Sequence, residues 1–174
     1  MISYCFEEAL ASTIDVLRSH QIIKRINEFK PTMFLFGGCF RYMIEGCVID
    51  NPDVMVVSDK ETIESIINML TSEYRHDRDF DYTPVCHAIH ETEVRVDGSR
   101  FNINIFLAIE GERLNIDFTV NTLAVKIDES KSECGHNRDD LIDIREIGTS
   151  SCQSREKIGE AIDHIRRRKL VPVS

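Results

Sequence analysis

Apolar positions along the chain change period several times, and each change marks an element. From residue 5 to 29 they recur at helical spacing: Phe6, Leu10, Ile14 and Leu17, then Ile22, Ile26 and Phe29. This predicts a helix over 5–29, with a break near Ser19-His20 and a stop at Pro31. Thr32–Phe36 is a continuous apolar run and predicts a buried strand, ended by Gly37-Gly38. Cys39–Glu45 then fits a short helix closed by Gly46. Asp53–Val57 predicts a second buried strand. Ser58 follows as the start of a Ser-x-x-Glu capping box, with Ile63, Ile66, Ile67 and Leu70 as the apolar stripe of the next helix.

The middle of the chain changes to β spacing. Val85–Ile89 predicts a strand, and Glu93–Val96, Asp97-Gly98 and Phe101–Ile109 predict a hairpin. Glu110-Gly111-Glu112 turns the chain, and Phe118–Ile127 is a further strand. Asp128–Asp139 and Thr149–Ser154 are polar and loop-like, Leu141–Ile144 a short strand, and Arg155–Arg168 a charged amphipathic helix. The order predicts one α/β (α+β) domain over 1–174, a mixed sheet with helices on one face.

Composition narrows the partners. The chain has 174 residues, 42% hydrophobic and 29% charged, as in an ordered globular protein. Its apolar runs are too short to span a bilayer. The N-terminus carries glutamates where a signal peptide needs a basic and then an apolar stretch, and the six cysteines form no Cys-x-x-Cys pair. These features predict a cytoplasmic protein with reduced thiols. A formal charge of −9 repels nucleic acid at long range, so an RNA contact needs a local basic patch. The one basic run is Arg166-Arg167-Arg168-Lys169, either a helix end complementing the macrodipole or a phosphate contact.

Three constellations compete for chemistry. His76–Asp81 alternates acids like a calcium loop, but counted from Asp77 the sixth position is Tyr82 and the twelfth Ala88, so a solvated acidic turn fits better. Cys86, His87, His90, Cys134 and His136 could supply zinc ligands only at atypical spacing. The third is strand, glycine turn, short helix, then a strand opening on an acid. Glycines let backbone N–H groups approach a phosphate, Arg41 could hold a phosphate oxygen, and Asp53 could bind Mg²⁺. A tight turn in a packed core explains Gly37-Gly38 equally well until other residues are weighed.

Two stretches carry a resemblance: GGCFRYMIEG with NPD after it, and NIDFTVNTLAV. Together they resemble the head domain of the class II tRNA nucleotidyltransferase/bacterial poly(A) polymerase family, in the polymerase-β-like nucleotidyltransferase superfamily. The family pattern is GG-x-V-R-D-x-x-x-G, then D-x-D, then R-R-D-F-T-I-N-A-L-A. The resemblance implies a nucleotidyltransferase fold that binds ATP or another NTP, uses Mg²⁺, and moves a nucleoside monophosphate to a hydroxyl, for instance an RNA 3′ end in tRNA processing. It implies that Gly37, Gly38 and Arg41 cradle the triphosphate and that Asn121 contacts the nucleotide. Asp53 would be the second metal acid, paired with position 51, and Asp117 would lie with Asn121 at the nucleotide sugar and the active-site edge, making Asp53, Asp50 and Asp117 the catalytic candidates. Asp143, Gly159 and Asp163 loosely match a further family motif.

The departures define an alternative. Asn51 stands where the first metal acid is expected, with Asp50 beside it; Tyr42 replaces an acid, and Asn115-Ile116 replaces the arginine pair. The base-selecting E-D-x-x-R motif and the family's neck, body and tail have no counterpart in these residues. A degenerate relative that binds a nucleotide, an RNA or a protein partner is the second expectation.

Overall fold

The computed structural model describes residues 4–45, 52–74, 80–83, 88–96, 99–111, 121–127, 140–146 and 155–172. The described elements are α1 (Tyr4–Ser19), α2 (Gln21–Asn27), β1 (Thr32–Phe36), α3 (Cys39–Ile44), β2 (Asp53–Ser58), α4 (Lys60–Glu73), β3 (Phe80–Thr83), β4 (Ala88–Val96), β5 (Ser99–Ile109), β6 (Leu123–Lys126), β7 (Ile142–Asp143) and α5 (Arg155–Arg166). The strands form one sheet in the order β3-β4-β5-β2-β1-β6-β7. Only β2 and β5 run parallel; the other neighbours are antiparallel. The fold is α/β, a mixed sheet flanked by helices, as the order of periodicities predicts.

Strand alternation divides the apolar residues into two layers. Met33, Leu35, Val54, Val56, Ile103, Ile105, Leu123 and Val125 face the helices, and Phe6, Leu10, Ile26, Phe40, Ile66 and Ile162 complete that core. Phe34, Phe36, Met55, Val57 and Ala124 form a smaller cluster on the opposite face, where Phe36 and Phe106 meet edge to face at 5.5 Å. The described helices therefore share one side, and the other face is the one on which Asp53 sits.

Several boundaries move for identifiable reasons. The first helical segment splits at His20, whose Nδ1 accepts from the Ile22 N–H at 3.2 Å and caps α2. Ser58 does not cap α4. It remains in β2, paired with Ile109, so the cap passes to Asp59, which accepts from the Thr62 N–H at 2.8 Å. Phe80 and Asp81, read as part of an acidic turn, open β3 instead and pair with Glu91 and His90 of β4. Of the strand expected at Val85–Ile89, Ala88 and Ile89 belong to β4 and the rest lies outside the described residues, and β6 begins at Leu123. Ile144 leaves the last short strand for a 3-10 turn. Residues 84–87, 97–98, 112–120, 128–139 and 147–154 lie outside the described residues, as do Gly46, His76, Cys134 and His136. No described helix is long and apolar enough to cross a membrane.

Candidate functional site

The site is built where β1 ends and β2 begins. Antiparallel pairing sets Asp53 opposite Phe36, the last residue of β1, so the glycine turn leaves the sheet beside the acid. Gly37 takes φ +82, a left-handed conformation that side chains oppose. A Cβ there would lie 3.2 Å from Asp53 Oδ2, so the turn and the carboxylate are in direct contact. The Gly37 N–H donates to the Leu123 carbonyl at 3.1 Å. Gly37 therefore supplies the bend and the close approach, and its own N–H is committed to the sheet.

Gly38 precedes the first turn of α3 with ordinary helical dihedrals. Its role is steric: a Cβ would lie 2.8 Å from an Arg41 guanidinium nitrogen. Arg41 sits on the exposed side of α3 and folds back over the turn, while Cys39, Phe40 and Met43 anchor the helix in the core. A carboxylate and a guanidinium thus flank the two glycines.

Asp53 is half-buried and oriented from the neighbouring strand. Parallel pairing sets it against Asn104 of β5, whose Nδ2 donates to Asp53 Oδ1 at 3.0 Å. Asn104 belongs in the site although the sequence offers it only as a residue without a charge. The usable signal was alternation: Asn104, Phe106 and Ala108 share the face that carries Asp53, Met55 and Val57. Beneath the turn, the Cys39 thiol donates to the Phe36 carbonyl at 3.3 Å. Burial first, and the nearby Asp53 charge second, push that thiol far above its ordinary pKa. Cys39 is a packing residue and not a nucleophile.

Among the expected site residues, the structure brings Gly37, Gly38, Arg41 and Asp53 together. Asn121 is half-buried one residue before the buried Thr122, and Leu123 then accepts from Gly37, so Asn121 enters along the strand that flanks the turn. Asp50, Asn51 and Asp117 lie outside the described residues. Asp143 is 1% exposed and held by a bidentate ion pair with Arg145, with contacts of 2.6–3.2 Å, which makes it structural. Asp163 pairs with Arg167 on the exposed face of α5, and Gly159 faces open space.

Asp53 offers the hard oxygen donor that Mg²⁺ takes, alongside substrate phosphates. Among the described residues no group of three His, Cys, Asp or Glu is disposed to hold a metal by itself.

No family model and no curated protein matches the chain. Solved structures do. A tRNA-processing enzyme in an apo form is 16% identical over 86% of this chain and 36% of its own, with a TM-score of 0.48. A CCA-adding enzyme in apo form I is 15% identical over 94% and 33%, also at 0.48. The Thermotoga maritima CCA-adding enzyme complexed with tRNA is 17% identical over 76% and 32%, at 0.40. The chain spans about a third of the length of each of these three. At such identities and TM-scores, what this chain does rests on its own residues.

Proposed function

We propose that the chain carries a nucleotidyltransferase-type site. It would bind an NTP over Gly37-Gly38 and transfer the nucleoside monophosphate to an acceptor hydroxyl, with an RNA 3′ end as the acceptor class. The observation that carries this reading is that one turn brings Asp53 Oδ2 against Gly37 and the Arg41 guanidinium against Gly38. The order of the motifs in the sequence supports it independently.

The residues divide the work. The glycines leave room for phosphate oxygens to approach the backbone, since a side chain at either position would meet Asp53 or Arg41. Arg41 neutralises the triphosphate, and a guanidinium can do so with two parallel hydrogen bonds. Asn104 fixes the orientation of the Asp53 carboxylate through Oδ1. Oδ2 faces the turn, and Asp53 would hold Mg²⁺ there. When bound, Mg²⁺ supplies charge neutralisation at the reacting phosphate and the leaving pyrophosphate. Catalysis of this kind is mostly positioning plus electrostatics, and these are the tasks the four side-chain and backbone elements can perform.

Calorimetric titration with a non-hydrolysable NTP and Mg²⁺ tests the assignment. Arg41→Ala should weaken binding by about 1.5–3 kcal/mol, the scale of a charge-assisted hydrogen bond. Asp53→Asn should remove the Mg²⁺ dependence. Unchanged affinity in both variants would overturn the site.

The degenerate alternative keeps one specific support. Asn51 replaces the carboxylate expected two positions before Asp53. A neutral amide is a weaker partner for a hard dication, so native turnover should be slow.

A further inference from the structure

A cavity of about 330 Å³ lies between α3 and the C-terminal end of α5. Arg41, Tyr42 and Glu45 form one wall; His164, Ile165, Arg168 and Leu170 form the other. Three features set it apart from an ordinary surface crease. The exposed large hydrophobic side chains among the described residues are Tyr42 and Leu170, 54% and 60% exposed, and both border this cavity. Two guanidiniums share the groove with one carboxylate, and Arg168 Nε stands 3.6 Å from Glu45 Oε1. The third feature is backbone geometry at Arg168.

Helix α5 ends in a Schellman arrangement: the Lys169 N–H donates to the His164 carbonyl at 2.9 Å and the Arg168 N–H to the Ile165 carbonyl at 3.1 Å. The residue between these two bonds must be left-handed, and glycine is the ordinary choice. Here it is Arg168, at φ +54. This conformation, which Lys30 also takes at φ +55, turns the chain at the rim of the cavity and leaves the Arg168 side chain beside Glu45.

We propose that the α3/α5 groove binds one nucleotide unit. The phosphate lies between Arg41 and Arg168, and the base stacks on the exposed Tyr42 ring with Leu170 closing the apolar side. The volume is at the small end of ligand pockets and suits a mononucleotide, not a large cofactor. A cation paired with an exposed aromatic is the usual means of holding a single-stranded nucleotide. The groove adjoins the glycine turn through Arg41 alone, so the inference rests on the nucleotide reading of that turn only at Arg41. The ligand can be a free mononucleotide or the terminal residue of a single strand.

Titration without Mg²⁺ separates these outcomes, with adenosine 5′-monophosphate, a single-stranded adenosine RNA trimer and inorganic phosphate as probes. The monophosphate should bind more tightly than inorganic phosphate. Tyr42→Ala and Arg168→Gly should each weaken it by about tenfold, the low end of base–aromatic stacking and charged hydrogen bonding. Arg168→Gly should at the same time raise the unfolding midpoint, which shows that its lost affinity is not lost folding. Tighter binding of the trimer assigns the groove to a strand end; equal binding assigns it to a free nucleotide. Affinity that ignores both variants overturns the proposal. If Asp53→Asn removes the same affinity while those two variants leave it intact, the ligand sits on the glycine turn. That result refutes the groove and leaves the NTP site standing.

Discussion

Asn104 Nδ2 donates to Asp53 Oδ1 at 3.0 Å across the parallel β2–β5 pair. This contact decides which carboxylate oxygen faces the glycine turn. Asn104→Ala should leave the fold intact, because Asn104 is half-buried and its backbone pairing is retained. It should lower turnover more than it changes NTP affinity, since the carboxylate remains but is no longer oriented. Steady-state kinetics beside calorimetry checks the split between the two. Rescue by Asn104→Gln, with the same amide on a longer arm, should be partial.

The two glycines should fail in different ways. Gly37→Ala places a side chain at φ +82 and within 3.2 Å of Asp53 Oδ2, so it should cost about 1–2 kcal/mol in denaturant unfolding. Gly38→Ala has no backbone strain and meets only the mobile end of Arg41 at 2.8 Å. It should leave stability within about 0.5 kcal/mol of native, typical of substitutions away from the core, and weaken NTP binding by displacing the guanidinium. Equal stability losses in the pair would contradict this division.

His20 makes stability depend on acidity. Burial holds its pKa at about 4, below the ordinary 6.5. The unfolded chain therefore takes up the proton first. Stability is lost as pH falls from 6.5 towards 4, by about 2–3 kcal/mol at pH 4.5. Protonation also removes the Nδ1 lone pair that accepts from Ile22. His20→Asn keeps a capping acceptor and removes the titration. Urea unfolding at pH 7 and pH 4.5 should show a smaller pH loss in the variant than in the native chain.

Asp143 is fully buried and Arg145 is its bidentate partner. Arg145→Met leaves a carboxylate buried without that cation and should cost about 3–5 kcal/mol. Adding Asp143→Asn should recover part of the loss in the same unfolding assay. Full additivity of the two changes would show that the pair is not coupled.

Much of the site was legible because its parts are local. A strand, two glycines, a short helix and a strand opening on Asp53 are contiguous in sequence, and their turn brings Asp53 against Gly37 once β1 and β2 pair. Asn104 was not legible in that way. Its role depends on which strand β2 pairs with on its other side, and that partner is distant in the chain. A search for carboxylates passes over an amide that orients one.

The errors in the fold have the same origin. Ser58 satisfies a local capping pattern, but pairing to Ile109 keeps it in the sheet and hands the cap to Asp59. Phe80 and Asp81 follow a turn-like polar stretch, so only the open edge of β4 reveals them as strand. The α3/α5 groove joins residues from opposite ends of the chain, and neither Tyr42 nor Arg168 signals it alone.

Labelled NTP transfer to an RNA 3′ end with Mg²⁺, with pyrophosphate release followed in parallel, tests the central claim most directly. The account predicts slow turnover in the native chain, faster turnover in Asn51→Asp, and none when Asp53→Asn is introduced into either. Turnover that survives Asp53→Asn would remove Asp53 from the site and contradict the account.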